Sequence, residues 1–213
     1  MNPNKILRFA SMFYSIASSE QLPENSKDLK IILKNIEELE TFKARKKYAE
    51  KNLKHLSSGS SRIVFMTKRD TVIKLAKNDK GIAQNKAEAN LKGESKFINK
   101  VLAHSDNYSW IESKFLKKIT EKQFQKMTSV DFDDFGDCIR YALKSISGSK
   151  KEKPDDYKEI SEIPLFKELK EIAKKNHLLG GDIARISSFK TNGEYPILVD
   201  LGLTKKIFDK FYE

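Results

Sequence analysis

What the chain has little of narrows its chemistry first. It contains a single cysteine, Cys138, so no disulfide can close within it. That suits a reducing compartment. Its three histidines, His55, His104 and His177, lie far apart and lack the spacing of a zinc site. No apolar run approaches the length that crosses a bilayer, so no membrane association is expected. Internal repeats and low-complexity tracts are absent as well.

What is present is a chain of 213 residues, enough for one domain or two small lobes with a real core. With 38% apolar and 33% charged residues, its composition is that of a soluble globular protein. The formal net charge of +11 favours anionic partners: nucleotides, nucleic acid or acidic protein. The surplus is nearly all lysine, spread along the chain and mixed with acids. That pattern reads as a solvated surface in preference to a nucleic-acid groove. The aromatic segments "FASMFY" and "FDKFYE" fit packing better than base stacking.

Residues 4–18 place Ile6, Leu7, Ala10, Phe13, Tyr14 and Ala17 at helical spacing. With one Arg and no cleavage signature, this is a packing or partner-docking helix, not a targeting presequence. After Ser26 a longer helical pattern carries Leu29, Ile32, Ile36, Leu39 and Phe42 as its stripe, with an exposed second half. "LSSGSSRIVFMTK" and "DTVIKLAK" then read as a hairpin turning near Lys68–Asp70. Residues 81–102 return to helical composition, and "SWIESKFLKKI" reads as a strand with an irregular exit. Two further helical patterns cover residues 120–147 and 161–178, separated by a polar, Pro-containing loop. The last stretch reads as loop, strand, tight turn at "NGE", and strand.

Several short stretches suggest chemistry, though each alone fits a plain turn or a surface charge. In "LSSGSSRIVF", Gly59 lets backbone N–H groups approach a phosphate, and the Ser60 and Ser61 hydroxyls are potential donors. Lys74 sits among Val72, Ile73 and Leu75 in an apolar strand. Glu88, on the following helix, is an available counter-ion, with Asn85 nearly one turn earlier. Glu112 lies on the strand leading out of the first half. "GGDIARISSF" presents Asp182, Arg185 and Ser187, and "PILVDLGLT" carries Asp200 at the tip of an apolar strand.

In this order the motifs resemble a protein kinase. The resemblance covers roughly residues 53–204, and residues 72–89 and 181–204 are also similar to small kinase-like proteins encoded by bacteriophages. It implies an α+β, two-lobed fold: a small antiparallel sheet plus a helical lobe. Residues 1–52 would be an N-terminal helical extension that docks a protein partner, 53–115 the upper lobe and 116–213 a minimal lower lobe, truncated after Asp-Leu-Gly. It further implies ATP and Mg2+ as cofactors. Gly59, Ser60, Ser61, Val64, Lys74, Glu88 and Glu112 would bind nucleotide, Asp182 and Lys74 would be catalytic, and Asp200 and Ser187 would hold metal.

The departures from the kinase pattern are specific. Only the middle glycine of the phosphate loop survives; Ser57 and Arg62 stand where the others would be. Ser187 replaces a metal-binding Asn, and no Ala-Pro-Glu motif follows Gly202. The expected function is therefore an atypical phosphotransferase of phage or mobile-element type, in the bacterial host cytoplasm or associated with a virion. The alternative is a catalytically inactive kinase-like binding module.

Overall fold

Alternating apolar residues build the sheet and decide which side chains meet which neighbours. A computed structural model describes residues 29–212, so the helix expected over residues 4–18 lies outside the described residues. Helix α1 (Leu29–Glu38) buries Leu29, Ile32, Leu33 and Ile36 on one stripe. The sequence pattern predicts one continuous helix here, but the chain breaks over residues 39–41. Thr41 then caps a new helix, α2 (Phe42–Asn52), its hydroxyl accepting from the Ala44 N–H. A side-chain cap of this kind satisfies an orphan amide and marks a fresh helix start.

Strands β1 (Lys54–Ser58), β2 (Arg62–Met66) and β3 (Thr71–Ala76) follow, then helix α3 (Asp79–Ala89), β4 (Val101–His104) and β5 (Trp110–Lys114). They form one antiparallel sheet in the order β1-β2-β3-β5-β4. The β2–β3 hairpin turns where expected, with Asp70 at a φ of +52°. Residues 81–102 are not one helix, however. Asn90 ends α3, its side chain donating to the Lys86 carbonyl, and Gly93 follows at a φ of +104°. That left-handed geometry suits glycine and turns the chain toward β4.

One face of the sheet is closed by α1 and α2. Ile63, Phe65, Ile73, Leu75 and Trp110 share a core with Leu29, Ile32, Leu33, Ile36 and Ala49. Residues 29–52 are therefore part of the sheet's own core. By alternation, Arg62, Val64, Val72 and Lys74 point to the opposite face, toward a cleft.

Below the cleft lie β6 (Lys117–Lys118), α4 (Glu121–Thr128), α5 (Phe132–Ala142), α6 (Lys144–Ser147), α7 (Tyr157–Ile160) and α8 (Pro164–Asn176). They are followed by α9 (Gly180–Ile183), β7 (Phe189–Thr191), β8 (Pro196–Leu198) and α10 (Lys205–Phe211). A second core gathers Phe124, Phe135, Phe166 and Phe189, with edge contacts at 5.2 Å for Phe124–Phe135 and 5.8 Å for Phe135–Phe166. Each such pair adds roughly 0.5–1.5 kcal/mol beyond area burial. Tyr157 of α7 packs on Tyr141 and Phe166, so the polar loop before it sits away from the cleft. Strands β6, β7 and β8 form a small sheet of their own, and β8 is pinned by Leu198 N–H to Phe97 O at 2.8 Å. The architecture is thus α+β, a small antiparallel sheet plus helices. Among the described residues, no helix is long and apolar enough to cross a membrane.

Candidate functional site

The cleft between the two cores has a volume of about 840 Å³. Its upper wall is the inward face of β2 and β3; its floor comes from α9, the residues after β8, and α10. Lys74 is buried and ion-pairs with Glu88, and it also donates to the Val199 carbonyl at 2.6 Å. Glu88 belongs to an unusual buried stripe on α3. Gly81, Gln84, Asn85 and Glu88 recur at helical spacing, yet three of the four are polar. Each polar member has a partner. Gln84 accepts from the Ser61 hydroxyl at 2.6 Å, and Asn85 donates to Tyr108 O at 2.9 Å. Burying such groups is tolerated only when their hydrogen bonds are made.

Glu88 has a second cation. Arg62 Nη1 donates to its Oε2 at 2.6 Å, while Nη2 donates to Asp200 Oδ1 at 2.5 Å. Asp200 follows β8 and is about half exposed, at 48%. Burial alone would raise its pKa, but Arg62 and then Lys74 reverse this and hold it below the usual carboxylate range. Burial likewise works against the Arg62 charge, and Glu88 and Asp200 more than offset it. The sequence flags Arg62 only as a replaced glycine. Its bridging role depends on Asp200, which arrives 138 positions later in the chain.

The Gly/Ser turn is held in place by its own hydrogen bonds. Gly59 N–H donates to Arg62 O at 2.8 Å, and Lys77 Nζ donates to Gly59 O and Ser58 Oγ, both at 2.6 Å. Gly59, Ser60, Ser61 and Val64 all line the cleft. The Ser61 hydroxyl lines the cleft too, and here it donates to Gln84 Oε1. Ser60 remains exposed on the turn.

Asp182 lies on the floor near Asp200. Burial first, and then the Asp200 carboxylate, push its pKa up, against the pull of Arg185 and Arg62. Arg185 reaches it at 3.2 Å. Ser187 is exposed at the cleft edge, while neighbouring Ser188 is buried and donates to Asp182 O at 2.8 Å. Among the described residues, no group of three or more His, Cys, Asp or Glu side chains could hold a metal. Two carboxylates in one cleft nevertheless suit magnesium, which keeps waters and takes its remaining ligands from phosphate.

Glu112 is not in the cleft. It pairs with Ile73 in the sheet register, on the α1/α2 face, and accepts from Thr71 Oγ1 at 2.6 Å. Its neighbours Ser113, Lys114, Phe115 and Leu116 line the cleft instead. A one-residue step along a strand changes the face, and strand position alone does not fix the parity. Phe208 and Tyr212 of the α10 region also reach the cleft, where the aromatic pattern alone suggests only packing.

No protein-family model matches the chain, and neither does any curated protein. Solved structures give a loose likeness. The ADP-bound aminoglycoside phosphotransferase APH(2'')-Ib aligns with a TM-score of 0.36 at 16% identity, over 78% of this chain and 73% of that one. The gentamicin complex of APH(2'')-IIa gives 0.37 at 18%, over 77% and 70%. A choline/ethanolamine kinase family protein from Mesorhizobium loti gives 0.35 at 15%, over 70% and 57%. At such scores the likeness fixes neither a family nor a substrate for this chain.

Proposed function

We propose that the chain is an ATP- and magnesium-dependent phosphotransferase of protein-kinase-like architecture. The observation that supports this best is a convergence. Lys74 from β3, Glu88 from α3, Asp182 from α9 and Asp200 after β8 meet at one cleft beneath a Gly/Ser turn. In this reading the base lies against the backbone of residues 113–116, and Lys74, oriented by Glu88, holds the phosphates. The turn's amides and Ser60 cover them. Asp182 accepts the proton of the acceptor hydroxyl as its oxygen bonds to phosphorus and the bridging oxygen leaves. Bound magnesium would neutralise phosphate charge, held by Asp200 with the Ser187 hydroxyl at the edge. Residues 53–115 would form the upper lobe, joined by α1 and α2, and 116–213 the lower. We further propose a phage or mobile-element type, acting in the host cytoplasm or with a virion.

Transfer of labelled γ-phosphate from ATP, to the protein itself or to added acceptors, tests the proposal. Lys74→Ala and Asp200→Ala should each abolish transfer, and Asp182→Asn should lower it about 10²- to 10⁴-fold. Full activity in all three would remove the assignment. Loss of Lys74 should be tolerated structurally, because Arg62 still pairs with Glu88. A second reading, a nucleotide-binding module without turnover, is favoured by the prior engagement of Asp200 by Arg62. A thermal shift with ATP and magnesium but no transfer would select it. Partner docking through residues 4–18 would belong to either reading.

A further inference from the structure

Arg62 is the buried charge that this chemistry leaves without a part. Its side chain is 9% exposed, and its two terminal nitrogens serve different carboxylates. The two legs are unequal. Glu88 is 1% exposed and also held by Lys74, so that leg is an anchor. Asp200 lines the cleft floor and is half exposed there. A guanidinium does not lose its proton, so a buried Nη2 needs an anionic or polar acceptor at all times. Asp200 Oδ1 supplies one here. A nucleotide phosphate oxygen is the other acceptor with suitable charge and reach, since arginine forks readily onto phosphate.

Resting on the nucleotide-and-metal reading above, we propose that Arg62 decides which form of the metal the site accepts. It occupies Asp200 Oδ1 until a nucleotide phosphate takes over Nη2, so metal enters with nucleotide and free divalent cation is excluded. Charge favours this order. Lys74 and Arg62 already balance Glu88 and Asp200, and Arg185 faces Asp182. A bare divalent cation would meet a neutralised site with a guanidinium on the oxygen it needs. A metal–nucleotide complex brings its own negative charge, which both cations attract. Lysine at this position would lose the fixed planar fork that holds one nitrogen on each acid.

The test measures Mn2+ binding to the full chain by electron paramagnetic resonance, with and without a non-hydrolysable ATP analogue. In the wild type, free Mn2+ should bind weakly and the analogue should tighten it strongly. Arg62→Gln should bind free Mn2+ about tenfold more tightly, equivalent to about 1.4 kcal/mol, and lose most of the gain from the analogue. Arg62→Lys, which keeps the charge and the Glu88 pair, should shift the same way and serves if the glutamine variant does not fold. Asp200→Asn should remove Mn2+ binding in every background. Equal free-Mn2+ affinity in wild type and both variants, with normal analogue-dependent binding, overturns the Arg62 inference alone. Mn2+ binding that survives Asp200→Asn also overturns it. No Mn2+ binding in any protein, with or without the analogue, overturns both this inference and the function it rests on.

Discussion

At Gly59 an added Cβ would meet nothing nearer than Arg62 O at 3.8 Å, and the backbone is not in the left-handed region. The fold therefore does not require glycine there. Gly59→Ala should hold stability or raise it by up to about 1 kcal/mol, through a less free unfolded chain. Its effect should appear instead as a raised Kd for ATP in a thermal-shift titration. An unchanged Kd would place the phosphates elsewhere. Asp182 behaves oppositely. Its raised pKa means that the native state keeps a proton to higher pH than the unfolded chain does. Stability therefore falls as pH rises from about 3.9, the unfolded value, through the native one. Once ionised, the native carboxylate is a cost to the fold. Asp182→Asn should melt higher at pH 7, by roughly 2–4 °C per kcal/mol relieved, and match the wild type below about pH 4. A lower melting temperature at pH 7 would refute this.

Among the elements, α3 packs tightly against the β1–β2 turn and the end of β3, and one glycine shows why. A Cβ on Gly81 would lie 2.2 Å from Ser61 O and 3.1 Å from the Ala76 Cα. Alanine would favour the helix by about 1 kcal/mol, but that carbonyl is itself fixed by Lys77 N–H at 2.8 Å. Overpacking should win, and Gly81→Ala should destabilise by about 1–3 kcal/mol, seen as a lower urea midpoint with unchanged slope. The same helix marks the limit of reading from sequence. Strand β3 is legible because Val72, Ile73 and Leu75 surround Lys74, and Glu88 follows at a plausible distance. Asp200 stands out because it ends an apolar strand, and Asp182 because it follows a Gly-Gly pair. Arg62 is not, since its partners come from α3 and from beyond β8. Glu112 misleads because parity along a strand is set by the register against β3, not by the local pattern. The break over residues 39–41 is hidden because Leu39 and Phe42 continue the apolar rhythm across it. A buried Gly-Gln-Asn-Glu stripe at positions 81, 84, 85 and 88 was a signal available in the sequence. It is a helix face too polar to be core and too regular to be surface.

Across the whole molecule, the two halves are joined by polar contacts, by α10 and by residues 97–99, whose Phe97 and Ile98 enter the lower core. Lys74 reaches Val199 O, Arg62 reaches Asp200, and Asn99 N–H donates to Leu198 O at 2.9 Å. The α10 region rests on α3, with Lys80 Nζ 4.4 Å from the Tyr212 ring centroid. Arg62, Lys74, Glu88 and Asp200 pair with one another at the centre of the cleft. Arg62's unequal legs then make the molecule selectively sensitive to ionic strength. At about 1 M salt the Debye length falls to about 3 Å, so the partly exposed Asp200 leg is weakened more than the buried Glu88 leg. The half-exposed Asp200 should loosen from Arg62 while Glu88 stays bound to it. A nitrogen-15 spectrum of the arginine side chains would show this as a salt-dependent shift at one Arg62 Nη and a constant signal at the other. Dissolved salt would thus act on the joint between the two halves of the protein while leaving each half intact.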